Sequence, residues 1–189
     1  MLRFNGLVLA GGKSSRMGQD KAMLRVNEEP LLMRCQRILI ETGAKQVMVS
    51  RNDGNSQHIA DIFTDRGPLG GIHAAIEHDA SSLPLLVLPV DLPLVSSDIL
   101  RKLVEEGFSQ QISCRYKKHN LPVFVFRPAE LLTSLYHTLM SNQDLSVGRF
   151  FARFPIQELP LINRKSLTNT NTLAEWQAIQ LNPLYENIL

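Results

Sequence analysis

Gly6-Leu7-Val8-Leu9-Ala10-Gly11-Gly12-Lys13-Ser14-Ser15-Arg16-Met17-Gly18-Gln19-Asp20-Lys21 is the stretch on which the fold turns. Gly6 to Ala10 form a short apolar run, the pattern of a strand buried on both faces of a parallel sheet. Gly11 to Asp20 follow as a loop rich in glycine and serine. Ligands in open α/β sheets bind beyond the carboxyl ends of the strands, which is where this loop falls. Its glycines allow turns closed to other residues and let N–H groups approach an anion. Arg16 and Lys21 add two fixed positive charges, and a triphosphate needs both kinds of partner. A plain glycine-rich turn with solvated basic residues would share the glycines but not the whole combination. The pattern is neither GxGxxG nor GxxxxGK(S/T), which argues against a dinucleotide-binding Rossmann site and a P-loop.

Outward from the loop, strand and helix patterns alternate. Pro30 suits the first turn of a helix whose apolar residues are Leu31, Leu32, Cys35, Ile38 and Leu39, ended by Gly43. Gln46 to Ser50 reads as a second strand, with a polar turn at Asn52 to Ser56. Asp65 to Gly71 reads as a tight loop before a helix from about Ile72 to His78. Leu85 to Val90 is the clearest buried strand, although Pro89 needs a position without a ladder donor. Ser96 or Ser97 caps the next helix, with Ile99, Leu100, Leu103 and Val104 on its apolar face. Gln111 to Arg115 and Val123 to Phe126 read as strands. Helices are expected near Pro128 to Leu139, over Ser146 to Phe154, and after a cap at Asn171 or Thr172. The alternation predicts βαβ units and a Rossmann-like three-layer α/β sandwich with a mostly parallel central sheet. A single domain over residues 1–189 is expected, with no linker or repeat to split it.

Composition excludes several classes. Hydrophobic residues make up 44% and charged residues 20%, ordinary for a soluble globular protein. A net charge of +2, spread along the chain, gives no sign of a nucleic-acid or membrane partner. No apolar run approaches the roughly 20 residues of a membrane span, and the first residues lack a signal-peptide layout, so a cytoplasmic protein is expected. Cys35 and Cys114 are too far apart for a CxxC metal site and read as reduced, buried thiols.

The pattern Leu-Ala-Gly-Gly-x-x-x-Arg-Met-Gly-x-Asp-Lys at Leu9 to Lys21 resembles the signature loop of the molybdenum cofactor guanylyltransferases, small nucleotidyltransferases of Rossmann-like fold. Further segments match in the family's order and cover nearly the whole chain. Asp65 with Gly67-Pro68-Leu69-Gly70-Gly71 resembles its acidic residue and turn. Asp91-Leu92-Pro93 resembles its metal-binding Asp-x-Pro. Pro122-Val123-Phe124 and Asn169-Thr170-Asn171-Thr172 resemble its later motifs.

The resemblance implies GTP and the molybdopterin cofactor as substrates, Mg²⁺ as metal, and a nucleotide-binding half at about residues 1–105 before an acceptor-binding half at about 106–189. Leu9, Ala10 and Gly11 would contact GTP, with Gly12 shaping the same turn. Lys21 would bind phosphate, assisted by Arg16; a compact ammonium suits an oxygen that gains charge as pyrophosphate leaves. Asp91 follows the most apolar strand, where a carboxylate is costly unless a cation meets it. Mg²⁺, which takes oxygen ligands, fits; a turn Asp before Pro93 is the alternative that position alone leaves open. Asp65 would accept hydrogen bonds from guanine, against the alternative of an ordinary turn residue. Ser50 stands where the family often has Asn, so either Ser50 or Asn52 would take that contact. Leu121 stands where relatives often carry His. Asn169 and Asn171 would lie near the pterin or the metal, Asn171 also being a candidate helix cap.

The implied reaction is attack by the terminal phosphate of molybdopterin on the α-phosphorus of GTP, with loss of pyrophosphate. The attacking group is already an anion, so no general base is required. His73 and His78 are wrongly spaced for two ligands on one helical face, and Ser14-Ser15 has no neighbouring His. Two other classes stay open. One is a sister cytidylyltransferase or a sugar- or alcohol-phosphate nucleotidyltransferase, against which Gly12 argues because cytidylyl relatives more often show Leu-Ala-Ala-Gly. The other is a non-catalytic nucleotide-binding relative. Cofactor-loading proteins and molybdoenzymes are the protein partners the resemblance implies.

Overall fold

The structure, a computed structural model, describes residues 2–11, 20–141, 144–170 and 172–180. Gly12, Arg16 and Asn171 lie outside the described residues. The opening run forms β1 (Asn5–Leu9), buried along its whole length. A small hairpin of β2 (Arg25–Val26) and β3 (Glu29–Pro30) then precedes α1 (Leu31–Thr42). It turns on Asn27 and Glu28, both at positive φ (49° and 66°). That geometry matches the right-handed twist of paired strands, but Asn-Glu is a weak signal for it. Pro30 closes the hairpin and caps α1, one residue ahead of the first turn predicted for it.

Helix α1 buries Leu31, Cys35, Ile38 and Leu39 and ends at Gly43, whose φ of 105° is open to glycine. Gly43 and Ala44 donate to the carbonyls of Ile40 and Leu39, so the last turn is closed by a Schellman arrangement. A Cβ at Gly6 of β1 would stand 3.0 Å from Leu39, so the helix rides close on the strand. Shortening Leu39 to Ala would open that contact at a cost of about 2–5 kcal/mol.

The remaining elements are β4 (Val47–Ser50), α2 (Gly67–His78), β5 (Leu85–Pro89), α3 (Ser97–Gln110), β6 (Ser113–Tyr116), β7 (Val123–Val125), α4 (Leu132–Ser141), α5 (Val147–Phe151), β8 (Ile156–Leu159) and α6 (Leu173–Gln180). Helix α2 starts earlier than predicted, because Gly67-Pro68 forms its first turn, where proline's missing N–H has no partner to lose. The predicted helix over Ser146 to Phe154 is the five-residue α5, capped by the Ser146 side chain. Strand β8 has no counterpart in the sequence reading; its half-exposed edge position gives it no alternating pattern.

Six strands make one sheet in the order β4-β1-β5-β7-β6-β8. All pairings are parallel except those of β7, which runs against both β5 and β6. Helices α1 and α3 cover one face with Val8, Leu86, Leu88 and Phe124. Helices α2, α4 and α5 cover the other with Leu7, Leu85, Val87 and Val125. This is the three-layer α/β sandwich expected from the alternation. Register also accommodates Pro89. It sits two residues beyond Val87, where β7 stops opposite Val123, while the next N–H, of Val90, still reaches β1.

Candidate active site

Strands β4, β1 and β5 end side by side at Ser50, Leu9 and Pro89. The ladder continues one step, with the Val90 N–H donating to the Leu9 carbonyl at 3.1 Å and the Ala10 N–H to the Ser50 carbonyl at 3.0 Å. Leu9 and Ala10 are therefore buried at the sheet edge, and Gly11 is the first exposed residue of the loop. On the other side of the loop, Lys21 heads a single 3₁₀ turn (Lys21–Met23) capped by the Asp20 carboxylate, which accepts the Ala22 N–H at 3.1 Å.

That turn aims Lys21 across the end of β1. Its Nζ lies 3.9 Å from Oδ2 of Asp91, with the side chains 19% and 22% exposed. Burial pushes the Asp91 carboxyl above its ordinary value, and the Lys21 charge only partly draws it back. Asp91 is thus an incompletely compensated carboxylate at the mouth of a ligand edge. Among the described residues no three His, Cys, Asp or Glu side chains cluster as a metal cage. One carboxylate fits a hard divalent cation that completes its shell with phosphate oxygens and water, as Mg²⁺ does.

The Asp91 backbone is held from the far end of the chain. The Thr170 N–H and hydroxyl both donate to the Asp91 carbonyl, at 3.0 and 3.3 Å. Thr170 is buried, and Asn169, the residue before it, is exposed. Thr172 caps α6: it accepts from the Glu175 N–H at 3.2 Å while its own N–H reaches the Glu175 carboxylate at 2.9 Å.

The connection from β4 to α2 forms the third side. Ser50 is buried and its hydroxyl donates to Asp61 at 3.3 Å. Asn52 donates to the same carboxylate at 3.0 Å and accepts the Asp61 N–H at 2.7 Å. A Cβ at Gly71 would collide with the Ser50 hydroxyl, which explains a glycine there. Asp65 is exposed at a left-handed turn (φ 58°), and Asp61 joins Ser50 and Asn52. Asp61 was not anticipated: only the bridge between Ser50 and Ile59 brings it to the strand end, and no local motif marks it. Arg51 was also missed. It binds Asp20 through an ion pair and Asp53 at 2.7 Å, tying this connection to the turn that carries Lys21. His58 in turn bonds Asp53 at 2.9 Å, and that bond leads the contacts holding the Asp53 carboxyl down at about 2.

The other candidates lie elsewhere. His73 is buried against Phe63, 5.2 Å between ring centres, and burial lowers its pKa. Leu121 packs at the edge of the core formed by α2 and α4. Cys35 and Cys114 are free and buried, as expected, and burial raises their thiols to about 12 and about 11.

The sequence model of the MobA-like NTP transferase domain matches residues 6–156, from β1 to the start of β8. The chain belongs to the MobA-like NTP transferase family. Its membership makes it a nucleotidyltransferase, and Lys21, Ser50, Asp61 and Asp91 all fall inside the matched MobA-like domain. The molybdenum cofactor guanylyltransferase of Xanthomonas euvesicatoria pv. vesicatoria (strain 85-10) is 37% identical over 179 residues, covering 93% of this chain and 94% of that protein. Among solved structures, molybdopterin-guanine dinucleotide biosynthesis protein A from Archaeoglobus fulgidus superposes with a TM-score of 0.74 at 18% identity, covering 98% of each chain. Rv0371c from Mycobacterium tuberculosis H37Rv, in complex with manganese, gives 0.68 at 16% identity over 93% of this chain and 97% of its own. At such identities these two likenesses speak for the MobA-like fold alone.

Proposed function

We propose that the protein transfers GMP from GTP to the terminal phosphate of molybdopterin, releasing pyrophosphate and forming the guanine dinucleotide cofactor. The observation that carries this reading is the meeting of Lys21 and Asp91 at 3.9 Å, across the end of the strand that opens the glycine-rich loop. The pair is too long for a tight bond and is poised to be divided between a phosphate and a cation. Mg²⁺, when bound, supplies charge neutralisation and a template for the phosphates. Asp91 would hold it, and Lys21 would serve the phosphate oxygens that gain charge as the bond to pyrophosphate breaks. Leu9, Ala10 and Gly11 would contact the nucleotide, with Gly12 shaping the same turn and Arg16 assisting Lys21 at the phosphates.

Ser50, Asn52 and Asp61 form the polar wall against which a base edge would sit, and Asp61 rather than Asp65 is the carboxylate suited to guanine. Asn169 and Asn171 would serve near the pterin or the metal. Molybdopterin would arrive from a cofactor-loading protein and the guanine dinucleotide would leave with a molybdoenzyme; neither nucleic acid nor membrane is required. No helix among the described residues is long and apolar enough to cross a membrane.

The test is pyrophosphate release with molybdopterin, Mg²⁺ and either GTP or CTP. Release with GTP and formation of the guanine dinucleotide are expected. Preference for CTP would make the protein a cytidylyltransferase. Nucleotide binding without turnover would leave a non-catalytic relative.

A further inference from the structure

We propose that Arg34 is a positioning residue for the metal-binding carboxylate: its buried guanidinium fixes the backbone turn that presents Asp91. This rests on the reading of Asp91 given above. Arg34 lies on α1 among Leu31, Cys35 and Ile38, on the face packed against the sheet, and is 5% exposed. Its Nε donates to the Pro93 carbonyl at 3.2 Å and its Nη2 to the Val95 carbonyl at 3.4 Å. The nearby acids are engaged elsewhere, since Glu29 and Glu41 bind Arg37 at 2.8 and 2.7 Å. Burial first, and the Arg37 charge second, pull the Arg34 pKa below its ordinary value.

A buried cation held by carbonyls alone is a poor choice for packing, because desolvation costs more than neutral acceptors return. An aliphatic residue would fill the same face of α1. The rigid fork of a guanidinium does something an aliphatic residue or a lysine cannot: it holds two acceptors at once in a fixed relation. Here the acceptors are two residues apart in the turn that follows Asp91, a turn also closed by the Val95 N–H on the Leu92 carbonyl at 3.2 Å. Thr170 grips the same segment at the Asp91 carbonyl, 3.0 Å away. The turn is therefore clamped on both sides of the carboxylate, by α1 and by the C-terminal segment. With its backbone fixed, Asp91 keeps its aim toward the strand edge instead of yielding to Lys21.

The experiment compares Arg34→Met and Arg34→Lys with the parent protein and with Asp91→Ala. Mn²⁺ affinity in the presence of GTP is read by electron paramagnetic resonance, folding by thermal melting, and kcat and KM for GTP by pyrophosphate release. Arg34→Met is expected to stay folded, to weaken Mn²⁺ binding about tenfold, and to lower kcat by a similar factor with KM for GTP changed less than about twofold. Arg34→Lys is expected to recover part of both losses, since an ammonium reaches one of the two carbonyls. If Arg34→Met does not fold, Arg34→Lys carries the test. Mn²⁺ affinity and kcat within twofold of the parent in a folded variant would overturn the proposal. Loss of both in Asp91→Ala alongside unchanged Arg34 variants would remove only the role of Arg34. Unchanged Mn²⁺ binding in Asp91→Ala would remove the reading of Asp91 itself, and Arg34 with it.

Discussion

Two acidic regions flank the loop after β1, and they are built in opposite ways. In the connection from β4 to α2, the carboxylates are tied into the fold, Asp53 more fully than Asp61. Asp53 has Arg51, His58 and the Asn55 N–H, and Asp61 has Ser50 and Asn52. After β5, Asp91 is more buried, has one lysine at a loose 3.9 Å, and is pushed toward its neutral form. Asp53 spends its charge on shaping its own connection. Asp91, on the reading proposed above, would keep its charge for a ligand. Groups whose pKa is disturbed by burial beside a single opposite charge mark a working site better than groups in closed networks do.

The sharpest way to break this contrast is to remove the reserved charge. Asp91→Ala and Lys21→Ala are each expected to lower kcat for guanylylation by about 10²–10³-fold or more, measured by pyrophosphate release. Asp91→Asn separates function from stability. The folded carboxyl pKa is raised, so the ionised form destabilises the ligand-free fold, increasingly as pH rises through the folded value. At neutral pH the neutral amide is expected to raise Tm by about 2–4 °C while abolishing turnover, readable by calorimetry. A lower Tm would mean that the Lys21 pairing outweighs burial.

A smaller effect is expected at the wall of the nucleotide site. Asp61→Asn should raise KM for GTP about tenfold with little change in kcat, and Asp65→Asn should change either by less than about twofold. The reverse ranking would restore Asp65. The smallest effect belongs to the satisfied region. The Asp53 carboxyl is lowered from 3.8 to about 2, so its contribution is present above the unfolded value and lost as pH falls through the folded one. Asp53→Asn should leave activity intact and flatten the acid limb of the melting curve below about pH 4.

Much of this was legible in the chain. The runs Gly6 to Ala10 and Leu85 to Val90 have a composition that only a doubly covered strand explains, and α1 and α3 show their buried stripes at helical spacing. Lys21 and Asp91 stand out through the resemblance of their motifs to the family's, since strand position alone leaves Asp91 equally readable as a turn residue. What stayed hidden depends on tertiary pairing. The direction of β7 is set by its neighbours, and three buried residues carry no mark of it. Strand β8 is partly exposed at the sheet edge and so lacks a period. Asp61 acquires its place through a bridge to Ser50, while Asp65 had the louder motif beside it. Arg34 sits in an apolar stripe where a charge reads as an exception to the pattern instead of a clue.

The reversed strand β7 has a consequence for how the two bulky anions of the proposed reaction would share one sheet edge. It enters the sheet from the rim at which its five companions finish. That rim is consequently divided: three strand exits lie on one flank, two on the other, and an incoming segment stands between them like a mullion in a window. A donor and an acceptor lodged in the separate bays would meet across it edge to edge, with their repelling phosphates kept apart until the reacting pair is aligned.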